Sequence, residues 1–556
     1  MSELPAGRAR LHRTRGVRRR RRLGAVAVAV VLLTVAAACG DDDGDDGAAQ
    51  PTSAPSTSGS PTTEAPDDFC TADRVGGELT MSVFSETRSL DPTVSTGTGT
   101  TGGTELSALY DTLMRFNDET YEYEPWVAES LEPNEDNSVW TLKLRPGVKF
   151  GNGDPLTAEA VKASIARHQD PNSRSVVKPE VAQIQSMEVV DDLTLRFVLV
   201  EPWGLFPYVL ADMAGMIVNP RVVEERGADF GANPTGAGVG PYELVHYRPG
   251  EEILFRARDD YWGGPVCIQQ LRFIDIVGEP ATYEALKAGT IDVMYFREPE
   301  TAPQARADGF DIRSETIWLG QGLIMNHSVG DPVTADLRIR QAVAHALDAE
   351  VLSQRAFGGQ LIVTDTITPE TSPYHVDVEG IPYDPDRARQ LVEEAKAGGW
   401  DGSISLVCGD TTPEVGIAIE TMLNAVGFQV NRESLPISEF SSRVYVDRDY
   451  ELACGGAGAS DSNPWIRLAR FYGPNNYFTT YQNEEFNAAL RELKLASTPA
   501  EAKPAIEELQ RVWNETVPSV GLGALEAGII TRDRVHGVLP NVNMMVTFAE
   551  AYVDQQ

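Results

Sequence analysis

Cys39 divides the chain into a part not expected to fold and a part that must. Ahead of it stand nine arginines, the last five consecutive from Arg18 to Arg22, then an apolar run from Gly24 to Ala38 that ends Ala36-Ala37-Ala38-Cys39. A cationic stretch, an apolar run and a small-residue cleavage point make up the grammar of an export signal. A thiol directly after that point reads as the site of lipid attachment. The run is shorter than the roughly 20 residues that span a bilayer, so residues 1–38 read as a cleaved signal peptide and not as a retained helix. Such cysteines usually have Leu three places earlier, where Ala36 stands here. Charge alone does not separate the Sec route from the twin-arginine route, and both stay open.

Residues 39–75 read as a lipid-attached flexible tether. From Gly40 to Asp68 the chain is Asp, Gly, Ala, Pro, Ser and Thr apart from Gln50 and Glu64, with no aromatic residue, a composition that cannot bury enough surface to order itself. The acidic run Asp41 to Asp46 lacks the ligand spacing and closing Glu of a calcium loop, so it reads as self-repelling linker. The formal charge of -35 becomes more negative once the arginine-rich leader is removed. A chain this acidic has no basic footprint for nucleic acid or an anionic surface. The expected contact with membrane is through the lipid alone.

About 490 residues remain, room for two or three lobes. Four cysteines stay in this body, Cys70, Cys267, Cys408 and Cys454, and an even number in an exported chain points to disulfides. Cys408 ends the strand-like run from Ile404 and Cys454 ends the one from Tyr450, as adjacent strands of one sheet would. The expected pairs are Cys408 with Cys454 and Cys70 with Cys267.

Strand and helix signals interleave through the body, so the class is mixed α/β. Gly77 to Val83 reads as a strand and Glu105 to Met114 as a helix; Val139 to Phe150 alternates Trp140, Leu142 and Leu144 against Thr141, Lys143 and Arg145, the period of a half-buried strand. Thr157 caps a helix, with Leu156 and Val161 placed as a hydrophobic staple. Met187 to Val200 reads as a hairpin about Asp191-Asp192. Asp384-Pro385 opens a helix with an Ala388, Leu391, Val392, Ala395 stripe that stops at Gly398, and Thr498-Pro499-Ala500-Glu501 is a capping box.

Few motifs carry chemistry. Gly97 to Gly102 spells the glycine pattern of a dinucleotide loop, yet no convincing strand precedes it as that fold demands. The stronger reading is a small-residue loop that shows backbone N–H groups to another ligand. The histidines are scattered without metal-ligand spacing, and no Gly-x-Ser-x-Gly elbow or P-loop occurs. No cofactor and no metal are expected. Trp203 with Phe206, Trp318 and Trp465 stand beside Gly, Pro or Ser, where loops bring aromatics to clefts.

Several segments together resemble the extracellular solute-binding proteins of family 5, the peptide, nickel and dipeptide class that serves ABC importers. They are Tyr110-Asp111-Thr112-Leu113, the run Trp140 to Phe150 followed by Gly153 to Ala158, Gly240-Pro241-Tyr242, Tyr261-Trp262, Arg340 to Val343 with Leu347-Asp348, and Tyr383-Asp384-Pro385. The resemblance implies a periplasmic-binding-protein-like fold: two large lobes joined by crossing hinge strands, plus a smaller inserted lobe. Residues 76–113, 227–316 and 527–556 map to lobe I, 114–226 to the inserted lobe II, and 317–526 to lobe III. It implies no enzyme, but a monomeric, lipid-anchored binding subunit on the outer face of the cytoplasmic membrane. That subunit would capture oligopeptides or a related amide-bearing solute and hand it to an ABC permease. The alternatives are a hydrolase acting on peptides or esters, or the same fold binding a non-peptide solute.

Peptide-binding members carry an Asp four residues before the Pro that matches Pro464, where it pairs with the peptide's ammonium group. Ser460 holds that place here and Asp461 is one residue late, and one residue of slip in an extended segment turns a side chain to the other face. Ala457 replaces the family's bulky aromatic. An amine anchor and a roomier pocket for another solute therefore both stand. The pocket is expected to draw on Thr96, Thr98, Thr100, Trp203, Trp318, Asn326, Gly456, Ser460, Asp461 and Trp465. Removing Trp318 is expected to weaken binding without unfolding the chain.

Overall fold

The computed structural model of the protein describes residues 70–71, 73–95, 97, 99–410, 413–476 and 478–554. The signal peptide, Cys39, the tether up to residue 69, Thr96 and Thr98 lie outside the described residues, as does the side chain of Thr100. Among the described residues no helix is long and apolar enough to cross a membrane, and no cluster of potential metal ligands occurs.

Two long antiparallel strands organise the mixed α/β architecture. Asp311–Met325 and Ser519–Thr531 pair from Asp311↔Thr531 to Ile324↔Ser519, with the register broken between Ile317 and Gln321. Past one end, Ser519–Thr531 pairs with Val293–Phe296, which continues through Glu78–Val83 and Gln270–Asp275 to the hairpin Glu252–Ala257 and Tyr242–Arg248. Past the other, Asp311–Met325 pairs with Leu452–Cys454, then Ser403–Gly409 and Gln429–Leu435. The long pair thus crosses from one group of strands to the other. Glu78–Val83 in the first group and Ser403–Gly409 in the second are parallel to both neighbours, whereas the outer hairpin of the first group is antiparallel; long stretches of chain separate the parallel partners, as parallel pairing requires.

A separate antiparallel sheet runs in the order Ala128–Pro133, Val139–Leu144, Thr194–Leu199, Ile184–Asp191. Its second strand buries Trp140, Leu142 and Leu144 as the alternation requires. It stops at Leu144 and does not reach Phe150, because Pro146 lacks an N–H to donate and Gly147 turns the chain at φ 83°. Thr157 caps Ala158–Gln169 by accepting from Ala160 N at 3.2 Å. Thr498 caps Pro499–Thr516, and Asp384 caps Pro385–Ala397, which buries the stripe of Ala388, Leu391, Val392 and Ala395.

The helix expected over Glu105 to Met114 is shorter, Thr104–Tyr110. Asp111 takes a left-handed φ of 55°, and the next residues leave the helix for sheet-like partners: Leu113 N donates to Gly215 O, and Trp126 N to Leu113 O. Tertiary pairing overrides the local propensity there. Both expected disulfides are present. Cys408 and Cys454 sit on the neighbouring parallel strands with Cα atoms 4.8 Å apart, and Cys70 and Cys267 with Cα atoms 5.3 Å apart.

Candidate functional site

The crossing strands bring distant segments around one cavity of about 340 Å³. Its walls come from the loop at Gly97, the turn and short helix at Val176 to Glu180, the helix bearing Tyr208 with Asp212 just past its end, Arg297, the long strand at Glu315 and Ile317, Ser460, the helix bearing Arg467 and Arg470, and Asn543. A second cavity of about 390 Å³ shares Glu180, Ile466 and Arg470 and adds Trp465, Asn487 and Lys494. A third, of about 460 Å³, shares Arg297. Adjoining clefts with a few convergent polar groups are what a small-molecule site requires.

Local sequence sets each polar group. Asn463 accepts from Ile466 N at 3.3 Å and Pro464 occupies the first turn, so the helix Pro464–Tyr472 starts at the cavity edge. Arg467 and Arg470, three residues apart, then share a face. Arg297 directly follows Val293–Phe296, and its N–H donates to Glu279 Oε2 at 2.9 Å. Glu315 and Ile317 point the same way because strand side chains repeat every two residues.

The carboxylates here differ in what engages them. Glu180 Oε1 accepts from Arg470 Nη2 at 2.7 Å, while its Oε2 has no partner. Asp212 is buried and accepts from Met213 N at 2.7 Å and Asn543 Nδ2 at 2.8 Å. Burial pushes Asp212 up to about 7 against those hydrogen bonds. Glu315 is pushed up to about 8, first by burial and then by the charge of Asp461, with Arg297 opposing. Both groups favour the neutral form in the folded state, whereas an unfolded carboxyl ionises near its ordinary value. Between the ordinary range and about 8 the unfolded chain has released protons that the fold keeps, so their contribution to stability falls as pH rises through that window. Glu315→Gln is expected to flatten the decline in thermal midpoint between pH 5 and 8. Parallel curves for variant and parent would reject the assignment.

The residues singled out from sequence fall in three places. Ser460 lines the central cavity, its Oγ 2.9 Å from Ser462 Oγ, and Trp465 lines the adjoining one, its ring 5.5 Å from that of Trp203. Trp203, Trp318, Asn326, Gly456 and Asp461 are packed into the walls. Trp203 and Trp318 are fully buried; Asn326 donates to the carbonyls of Val329, Arg448 and Tyr450; a side chain at Gly456 would meet the Leu319 carbonyl. Asp461 accepts from Trp318 Nε1 at 2.9 Å and Ser372 Oγ at 2.6 Å, and burial pushes it up to about 6. Trp318 fills the core, so its removal is expected to cost stability as well as any binding. Gly97 lines the cavity, yet its lack of a side chain serves the protein itself: a Cβ there would meet Met213 Sδ.

Sequence reading missed Glu180, Asp212, Arg297, Glu315 and Arg467. Only the helix offered a signal, two arginines three apart on a segment opened by Asn463-Pro464.

With this geometry in view, the comparisons decide the family. The model of the bacterial extracellular solute-binding proteins, family 5, middle segment, matches residues 122–479, more than half of the chain. The chain belongs to that family. Among curated relatives, a glutathione-binding protein GsiB of Pectobacterium atrosepticum is 27% identical over 274 residues, covering 48% of this chain and 52% of the relative. The chain thus spans about half the length of that relative. A heme-binding protein A of Haemophilus influenzae is 25% identical over 472 residues, covering 77% and 84%. Among solved structures, NikA of Brucella suis in complex with Fe(III)-EDTA superposes with a TM-score of 0.72 at 22% identity, covering 86% of this chain and 100% of that one. DppA of Helicobacter pylori in complex with the peptide STSA gives 0.71 at 21%, covering 87% and 99%. These likenesses establish the fold of family 5, the periplasmic-binding-protein-like arrangement expected from the sequence.

Proposed function

We propose that the chain is the capture subunit of an ABC importer, held outside the cytoplasmic membrane by lipid on Cys39. It takes an oligopeptide or a related amide-bearing solute between lobes I and III, with lobe II as the third wall, and releases it unaltered to a permease. The lobe assignment follows 76–113, 227–316 and 527–556 for lobe I, 114–226 for lobe II and 317–526 for lobe III. One observation carries the reading: residues from all three lobes meet around the central cavity beside the two long crossing strands. The names of the relatives support it, being those of proteins that bind glutathione, heme, a metal chelate and a peptide. Closure about the crossing strands would bury the solute, and a solute shifts that equilibrium only by its differential affinity for the closed form.

A non-peptide solute is favoured by one feature. The carboxylate nearest the family's amine anchor, Asp461, already accepts two internal hydrogen bonds. Calorimetric titration of the mature protein with defined peptides and with glutathione tests capture. Saturable binding of one molecule per chain is expected, and failure of peptides, glutathione and the host's small-molecule extract alike to bind would overturn it.

A further inference from the structure

Arg297 and Arg467 line the central cavity and have no carboxylate within ion-pair distance among the described residues. Each carboxylate around the same space except Glu315 has at least one hydrogen-bond partner, and Glu180 keeps one oxygen unpaired. Glu180 pairs with Arg470, Asp212 with Asn543 and the Met213 N–H, and Asp461 with Trp318 and Ser372. Glu315 is the one left, and burial favours its uncharged form. The cavity therefore holds two guanidiniums that form no ion pair, with Glu180 acting on Arg467 and Glu315 on Arg297 only at longer range, and Arg297 also stands in the wall of the neighbouring 460 Å³ cavity.

We propose that Arg297 and Arg467 together hold an anionic group of the captured solute, a carboxylate or phosphate, so that this cleft selects an anion and not a free ammonium group. The guanidinium fork matches the two oxygens of such a group and binds them bidentately. Enclosure between lobes strengthens the pairing relative to water. Glu315, which burial pushes up to about 8, stands in the same wall. The inference rests on the capture reading above and names the class of solute for that same cavity.

The test is a thermal-shift and calorimetric panel on the mature protein: trialanine, N-acetyl-trialanine, trialanine amide, citrate, inorganic phosphate and spermidine, together with the mass and charge of any solute that co-purifies. The solutes that bind are expected to carry an anionic group, with phosphate alone separating a phosphate site from a carboxylate site. N-acetyl-trialanine is expected to match trialanine within about threefold, and the amide to bind at least tenfold more weakly. Arg297→Gln and Arg467→Gln are each expected to weaken binding at least tenfold while leaving the ligand-free melting temperature unchanged, with Arg297→Lys intermediate. Tighter binding of the amide or spermidine, a cationic or neutral co-purified solute, or unchanged affinity in both Gln variants would overturn the proposal while leaving capture intact. Absence of any bound solute in every arm would overturn capture and this proposal together.

Discussion

Replacing Cys70 and Cys267 together by alanine lowers the stability of the mature protein by about 5 kcal/mol, the largest single effect expected for this chain. The bond joins residues 197 apart in sequence, and in the chain-entropy treatment a cross-link of that span restricts the unfolded ensemble by about 5 kcal/mol. Both half-cystines are buried, and the Cys267 carbonyl accepts from Gly76 N at 2.8 Å, so the bridge fastens the segment leading into Glu78–Val83. That strand is paired on both sides within the large sheet. Cys408→Ala with Cys454→Ala should cost less, about 4 kcal/mol, because the span is 46 residues. Urea unfolding of parent and variants measures both. Equal midpoints for the parent with and without reductant would contradict the account.

Trp318→Ala costs about 3–5 kcal/mol, the range for emptying a large aromatic site in a core. The indole is fully buried against the Tyr374 ring, 5.5 Å away centroid to centroid. Its loss also strips Asp461 of one of two donors, and an under-bonded buried carboxyl is costly in its own right. Trp318→Phe retains most of the volume and removes the N–H, so about 1–3 kcal/mol is expected. Urea midpoints give both values, and solute affinity of the Phe variant should stay within a few-fold of the parent because the ring lies in the wall and not in the cavity. An Ala variant as stable as the parent would show that the packing described around Trp318 is wrong.

Much of the scaffold was legible because it depends on short-range rules. The Thr157 cap, the alternation of Trp140, Leu142 and Leu144, and the strand-ending positions of Cys408 and Cys454 each follow from a few neighbouring residues. Local rules failed where distant partners decide, as at Asp111, whose left-handed turn sends Leu113 to Gly215 and Trp126. The site is harder for the same reason. Arg297, Glu315 and Arg467 are ordinary charged residues in sequence and meet only because the crossing strands join separate segments. Tryptophans beside glycine looked like cleft residues, yet Gly456 is small so that the chain can approach the Leu319 carbonyl, and Trp318 fills the space behind it. Proximity to glycine signals a close approach and does not say of what.

Native mass spectrometry of the mature protein, purified from its own host under gentle conditions, bears most directly on whether the chain captures a solute and gives it back intact. The account predicts one noncovalently bound small molecule per chain, displaced by denaturation and identical in mass before and after prolonged incubation. A chain that never carries a bound molecule, or one whose released molecule changes in mass on incubation, would contradict it.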